Sequence, residues 1–401
     1  MTDKIIISVL KTQCDLSLGC ITLHKPKALN ALDLDMVQAI QVQLNNWRND
    51  ASIGAVFIDS EGDRAFCAGG DIVSMYQSMA QQQKDKPNSL PDFMAQFFEQ
   101  EYRLDYAIHA YPKPIVCWGN GIIMGGGLGI FAGASHKIVT ETARVAMPEI
   151  TIGLFPDVGA SYFLNKMPQG VGKFLALSAA SINAVDCISI GLADAFMPHH
   201  KKQALLLALA QLNQLNENSI STTISVLHKD SSTEQEWASL SGKLTPLLPL
   251  LSSLASLEDM SEIDVFFTAL NDRFPDVKIV QKALQSFRHG SPITAKLILE
   301  QLKRAQSLSL AQCFQMELSM AYQCSIVGEF QEGVRALLID KDNQPKWKYS
   351  LASEVPSELI NAHFERFRSV NVGAHAGNNS DSEKSINPLQ SLAQEYGEHH
   401  A

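Results

Sequence analysis

Residues 119–129 read GNGIIMGGGLG and follow an apolar run, 114–118, that has the character of a short β-strand. Six glycines in eleven residues constrain the chain more than any other feature, because glycine weakens regular structure unless the backbone must turn or approach something closely. A triple glycine that opens a helix also leaves N–H groups exposed at the positive end of the helix dipole. The spacing misses the dinucleotide pattern G-x-G-x-x-G, since Met124 stands where the third glycine belongs, and no Gly-Lys-Ser/Thr follows to make a P-loop. What remains is a strand-to-helix turn that presents backbone amides.

A second turn of this kind occurs at Phe66-Cys67-Ala68-Gly69-Gly70-Asp71, after the strand-like run 55–59. Asp71 is placed to cap a helix running through Ile72, Val73 and Met75. Alone, either turn is an ordinary connection. Two amide-presenting loops in one chain suit an oxyanion hole, where a thioester carbonyl gaining negative charge needs two preorganised donors in a dry site. Backbone amides need no side-chain ordering and carry no titrating proton.

Two acids stand in the apolar segment 147–163, MPEITIGLFPDVGASYF, each directly after a proline. Burial penalises a carboxylate and raises its pKa toward the range useful for general acid–base work. Gly153 and Pro156 prevent one regular helix from joining Glu149 to Asp157, so the two sit on separate local elements. Facing one pocket, they titrate as a coupled pair. The competing reading makes Glu149 a loop residue and Asp157 the N-cap of a helix through Val158, Tyr162 and Leu164. Glu101, in Glu99-Gln100-Glu101-Tyr102-Arg103, reads by default as part of a solvated helix face or an i,i+4 ion pair.

The net charge of −10, with no basic run carrying interleaved aromatics, argues against nucleic acid as partner, while leaving room for a local basic patch. Seven cysteines without a C-x-x-C pair suit free thiols in a reducing compartment. The opening MTDKIIISVL resembles neither a secretory nor a transit leader, and no window of 18 apolar residues occurs. A cytoplasmic protein that does not enter the membrane is the expectation. There is no G-x-S-x-G elbow, no H-E-x-x-H or H-x-x-x-H spacing among the 11 histidines and no calcium loop, so no metal is expected.

Strand signals at 5–10, 19–24, 55–59, 114–118 and 136–140 alternate with helical patterns at 33–47, capped by Asn30 or Asp33, and at 91–108. From about residue 200 the pattern turns helical, with helices expected at 201–215, 262–270, 277–287, 294–302 and 310–327. The end of the chain is polar and built of small residues, as loosely ordered segments are. The expected division is an α/β core over 1–200, a helical region over 201–372 packed on it, and a disordered tail over 373–401.

The pieces HKPKALNAL (24–32), FCAGGD (66–71), MGGGLG (124–129) and the segment 147–159 stand in the order found in the crotonase (enoyl-CoA hydratase/isomerase) superfamily, which the chain resembles over roughly residues 5–200. The resemblance implies an α/β spiral of ββα turns, with the oxygen of an acyl-CoA thioester held by the amides of Gly70 and Gly126. A narrower likeness, carried by 147–159 and by FQEGVRALLIDKD (330–342) with Pro345-Lys346-Trp347, is to a branch of that superfamily that hydrolyses 3-hydroxyisobutyryl-CoA. By matching positions it assigns substrate binding or catalysis to Glu101, Gly126, Glu149 and Asp157. Hydratases of the superfamily carry a second catalytic glutamate at the position of Gly129 and usually glycine at that of Asp157, so the second acid has moved. The reaction implied is cleavage of 3-hydroxyisobutyryl-CoA, with 3-hydroxypropionyl-CoA as a second substrate, in valine breakdown. It needs no cofactor besides the CoA of the substrate, and a homo-oligomer, trimer or hexamer, is implied with it. The alternatives are an enoyl-CoA hydratase or isomerase, and a non-catalytic acyl-CoA-binding scaffold.

Overall fold

The computed structural model describes residues 2–365 and 387–397. Among the described residues nine strands form two sheets. The larger has the order β1 (Ile5–Lys11), β2 (Ser17–Leu23), β3 (Ile53–Ser60), β5 (Ile115–Gly119), β7 (His136–Val139), β9 (Ala195–Phe196); the smaller has the order β4 (Ala65–Cys67), β6 (Ile122–Met124), β8 (Arg144–Ala146). Among the described residues only the β1–β2 hairpin is antiparallel; the other six strand pairs are parallel. β3 is apolar and buried along nearly its whole length, as a parallel strand covered on both faces must be, whereas the edge strand β1 has several exposed positions.

Each turn of the chain gives one strand to each sheet. β3 leads to β4 and then helix α2 (Ile72–Asp85), β5 to β6 and α4 (Gly126–Gly133), β7 to β8 and a 3-10 turn, Glu149–Ile152. That is the expected spiral of ββα turns. The five expected strands occur within two residues of their expected bounds. β4, β6, β8 and β9 have two or three residues each, too few for any periodicity to show.

Helix α1 (Leu34–Asn49) is capped by Asp33, whose carboxylate accepts from Met36 N–H; Asn30 instead ties Lys25 to the Glu61 and Ala65 carbonyls. Asp71 caps α2 by accepting from Ser74 N–H, as its position predicts. α3 (Asp92–His109) lies against α4 and against the later helix Leu310–Val327. In the second half the helices Met260–Arg273, Lys278–His289, Pro292–Ala305 and Leu310–Val327 occupy the expected segments, while the one expected over 201–215 stops at Ala210. One continuous buried cluster runs from Ile5 to Tyr396.

The expected disorder of the tail needs a correction in one part. Within Asn387–Gly397 a short helix, Leu392–Tyr396, sits on α3 with Leu389, Leu392 and Tyr396 buried. The apolar side chains at this i, i+3, i+7 spacing find a partner surface that the polar local composition does not advertise. Arg48 donates to the Tyr396 carbonyl at 2.6 Å, and Arg103 pairs with Glu395. Positions 366–386 and 398–401 lie outside the described residues. Among the described residues no helix is long and apolar enough to cross a membrane.

Candidate active site

The two glycine loops meet backbone to backbone. Gly69, at φ 105°, lies so close to the second loop that a Cβ on it would be 3.4 Å from the Met124 carbonyl and 3.6 Å from the Gly125 Cα. A Cβ on Gly127 would collide with the Cys67 carbonyl, and one on Gly126 with the carboxyl of Glu101. The triple glycine is therefore a requirement of packing. A parallel bridge holds the first loop: Leu32 N–H donates to Gly69 and Asp71 N–H to Leu32, each at 2.8 Å. Among the described residues the N–H groups of Gly70 and Gly126 donate to nothing. Gly126 is the first residue of α4, where no intrahelical acceptor exists.

Glu101 and Glu149 reach this junction from separate elements, and Asp157 stands near enough for its charge to act on both. Glu101, on α3, is buried with Oε1 unpartnered, against Gly126, so the solvated-face reading does not hold. Glu149 opens the 3-10 turn after Pro148; its Oε2 has no partner and its Oε1 lies 3.5 Å from where a Cβ of Gly125 would stand. Asp157 accepts a 2.7 Å hydrogen bond from the Tyr102 hydroxyl.

Asp157 does not cap the following helix with its side chain. The cap of α5 (Ala160–Lys166) is Gly159, and Glu317, from the helix Leu310–Val327, accepts from Gly159 N–H at 2.8 Å and Ser161 N–H at 2.9 Å. Relieved of capping, the Asp157 carboxylate turns inward. The turn itself is strained: Val158, β-branched, sits at φ 55°, a conformation that costs on the order of 1–3 kcal/mol and persists only where packing imposes it. Gln301 adds to that restraint by donating to the Pro156 carbonyl at 2.6 Å.

Burial dominates the electrostatics. It pushes Glu101 and Glu149 well above the usual carboxylate range, and the neighbouring Asp157 charge pushes both further. Asp157 rises only to about 6, because the Tyr102 hydroxyl favours its ionised form. Burial takes Glu317 to about 8 despite its two backbone donors. Among the described residues no lysine or arginine pairs with any of these acids. Burial thus favours the protonated carboxyl throughout this site, and least for Asp157.

Tyr102 and Glu317 escaped sequence reasoning. Glu317 had a legible signal: it is the only charged residue in an apolar 18-residue helix, the same feature that marks Glu149. Tyr102 had none beyond its place in the apolar stripe of α3. A cavity of about 1000 Å³ elsewhere includes none of these acids; it is lined among others by Glu258 and by Lys173, Lys296 and Lys303, whose ammonium groups are already bonded to carbonyls and to Glu258. The junction itself carries the convergent chemistry, so the cavity does not displace it as the candidate site. Among the described residues no group of His, Cys, Asp or Glu has the arrangement of a metal site.

Comparison with known proteins agrees with this fold. The family described as enoyl-CoA hydratase/isomerase matches residues 18–364. The 3-hydroxyisobutyryl-CoA hydrolase, mitochondrial, of Gallus gallus is 34% identical over 347 residues, 86% of each chain, and that of Homo sapiens is 34% identical over 356 residues, 88% of each. Among solved structures, an enoyl-CoA hydratase from Rhodobacter sphaeroides 2.4.1 is similar with a TM-score of 0.74 at 32% identity, covering 90% of this chain and 97% of that one. A carnitinyl-CoA dehydratase from Mycobacterium thermoresistibile gives 0.77 at 29%, covering 91% and 97%. With the spiral, the paired glycine loops and a match across most of the chain, the protein belongs to the enoyl-CoA hydratase/isomerase family, the crotonase superfamily.

Proposed function

We propose that this protein hydrolyses the thioester of 3-hydroxyisobutyryl-CoA, and also that of 3-hydroxypropionyl-CoA, to the free 3-hydroxy acid and CoA, as a step of valine breakdown. The observation that carries the reading is the approach of the buried Glu149 and Glu101 carboxyls to two amide-bearing loops, with Asp157, bonded to Tyr102, near enough for its charge to act on both. The relatives named as hydrolases of 3-hydroxyisobutyryl-CoA support the choice of substrate.

In this reading the Gly70 and Gly126 amides grip the thioester oxygen as it gains charge. Glu149 acts on the carbonyl carbon, as base for a water or as nucleophile through an acyl anhydride; hydroxylamine trapped on Glu149 during turnover marks the anhydride route. Asp157, ionised and held by Tyr102, orients the attacking water or the substrate 3-hydroxyl and relays a proton released by that water to the departing thiolate. Glu101 lies against Gly126 and contacts the acyl portion. One water is consumed and one thiol released, and CoA enters only as part of the substrate.

Free-thiol release from 3-hydroxyisobutyryl-CoA tests the proposal. Comparable turnover of crotonyl-CoA would favour the hydratase reading, which the two solved structures keep in view, and no thiol release at all would leave a binding protein. Gly129, bare where a hydratase needs its second acid, speaks for the hydrolase. The seven cysteines are all free thiols, which supports a reducing location, the cytoplasm in this proposal, although the vertebrate relatives are named mitochondrial. Assembly as a trimer or hexamer belongs to the same proposal, and light scattering after size-exclusion chromatography checks it.

A further inference from the structure

The two turns that carry Glu149 and Asp157 are tied to a single helix of the second half, Pro292–Ala305. At its start Ser291 N–H donates to the Ile150 carbonyl at 3.1 Å, one residue beyond Glu149. Gly290 lies so near that a Cβ on it would be 2.7 Å from Ile150 Cγ1. Further along, the Gln301 side-chain nitrogen donates to the Pro156 carbonyl at 2.6 Å, one residue before Asp157, and to the Ser161 hydroxyl oxygen at 2.8 Å. From Ser291 to Gln301 a helix rises about 15 Å, a length that its backbone hydrogen bonds keep fixed. Gln301 is 1% exposed, and an amide so deeply buried is costly unless it is bonded. Both of its N–H groups go to the Pro156–Ser161 turn. Glu317 holds the same turn from the helix Leu310–Val327, through Gly159 N–H and Ser161 N–H. Between these holds stand Asp157 and Val158, the β-branched residue at φ 55°. A backbone so strained relaxes once its restraints are removed.

Resting on the hydrolase reading, we propose that Gln301 is a positioning residue of the reaction: through the Pro156–Ser161 turn it keeps the Asp157 carboxylate on the Tyr102 hydroxyl, at a set distance from Glu149. The helix Pro292–Ala305 is then the spacer that both acid-bearing turns share. Without the Gln301 donors the Pro156 carbonyl loses a buried partner, and Val158 gains by leaving the left-handed region. That rotation lies directly beside Asp157 and carries its carboxylate away from Tyr102. The glycine loops are untouched, because their hold comes from Leu32 and from each other. Grip on the thioester oxygen therefore survives while the second acid is misplaced. The titratable groups around Asp157 are Glu101, Tyr102 and Asp105 on α3, Glu149 on the 3-10 turn, and Glu317 and Cys324 on Leu310–Val327. Gln301 adds no charge to them.

Gln301→Met keeps the length of the side chain and removes both donors. In the full-length protein kcat for 3-hydroxyisobutyryl-CoA should fall at least roughly tenfold, with KM within about twofold. The acidic limb of kcat/KM should move to higher pH, since Asp157 parts from the hydroxyl that favours its ionised form. Combined with Tyr102→Phe the loss should not grow, because both changes undo the same contact. A residue that only stabilises the fold would lower the melting temperature and leave kcat and the limb in place. Unchanged kcat and limb, or losses that add to those of Tyr102→Phe, would overturn the proposal. A crystal structure of Gln301→Met gives a reading without turnover. Val158 at negative φ with Asp157 off Tyr102 supports the proposal, and retention of both features defeats it. Where Gln301→Met does not fold, Ser161→Ala removes one of the two acceptors and should move the same limb by a smaller amount; a limb that stays put counts against Gln301. A wild type that releases no thiol would defeat the hydrolase reading alone, because the crystallographic comparison stands without it.

Discussion

Glu149 and Asp157 are set apart by the company each keeps. Asp157 has a phenolic donor at 2.7 Å, and Glu149 has an oxygen that nothing satisfies. Glu149→Gln preserves the shape and removes the base or nucleophile, so kcat should drop by about 10²–10⁴-fold with substrate affinity nearly intact, measured by thiol release and by calorimetry of binding. Tyr102→Phe tests the partner. The hydroxyl lowers the Asp157 pKa by favouring the ionised form, so removing it raises that pKa above about 6, and the acidic limb of kcat/KM should move to higher pH. At this scale Glu149, Asp157 and the two glycines were legible, because acids and glycines are rare in apolar runs and report the reason for their presence. Glu101 came from resemblance alone. Tyr102 and Asp105 were not legible, since the stripe of α3 says that residues are buried and not what stands opposite them.

Elements carry the geometry that residues use. The turn from Asp157 to Ser161 is shaped by Glu317, whose carboxyl accepts two of its backbone N–H groups. The folded protein holds the Glu317 proton up to about pH 8, against an ordinary value of 4.5, so it binds more protons than the unfolded chain between those values. Stability from this group is greatest below the ordinary value and falls as pH rises through about 8. Glu317→Gln should flatten that fall, seen as a shallower decline of melting temperature across the window, while costing about 1–3 kcal/mol at low pH for the acceptor it weakens. Strands of four or more residues were readable as apolar β-branched runs, and long helices as stripes. The three-residue strands β4, β6 and β8 were not, because their pairing is dictated by neighbours distant in sequence. Leu392–Tyr396 was hidden for a similar reason: its apolar side chains need α3 before they are worth burying.

For the molecule as a whole, α3 is the shared part. One face supplies Glu101, Tyr102 and Asp105, while Arg103 and Tyr106 hold the segment Asn387–Gly397 through Glu395, the Pro388 carbonyl and the Gly397 carbonyl. Deleting residues 387–401 should expose the surface under Leu389, Leu392 and Tyr396 and lower stability by about 3–8 kcal/mol, each such side chain contributing on the order of 1.5–3 kcal/mol when buried. Urea unfolding monitored by circular dichroism measures it; a midpoint unchanged from the full chain would mean the segment adds nothing.

The pairing of β4 with β6, Ala65 opposite Ile122 and Cys67 opposite Ile123, has a further meaning. Both glycine loops leave neighbouring parallel strands at the same end, so their lateral offset follows the interstrand repeat of about 4.8 Å that no loop sequence can alter. The fold is a fixed-jaw vice. Tinkering with this scaffold can exchange the tools mounted around the jaws, the acids of α3 and of the segment before α5, but leaves the width of the jaws as the backbone sets it.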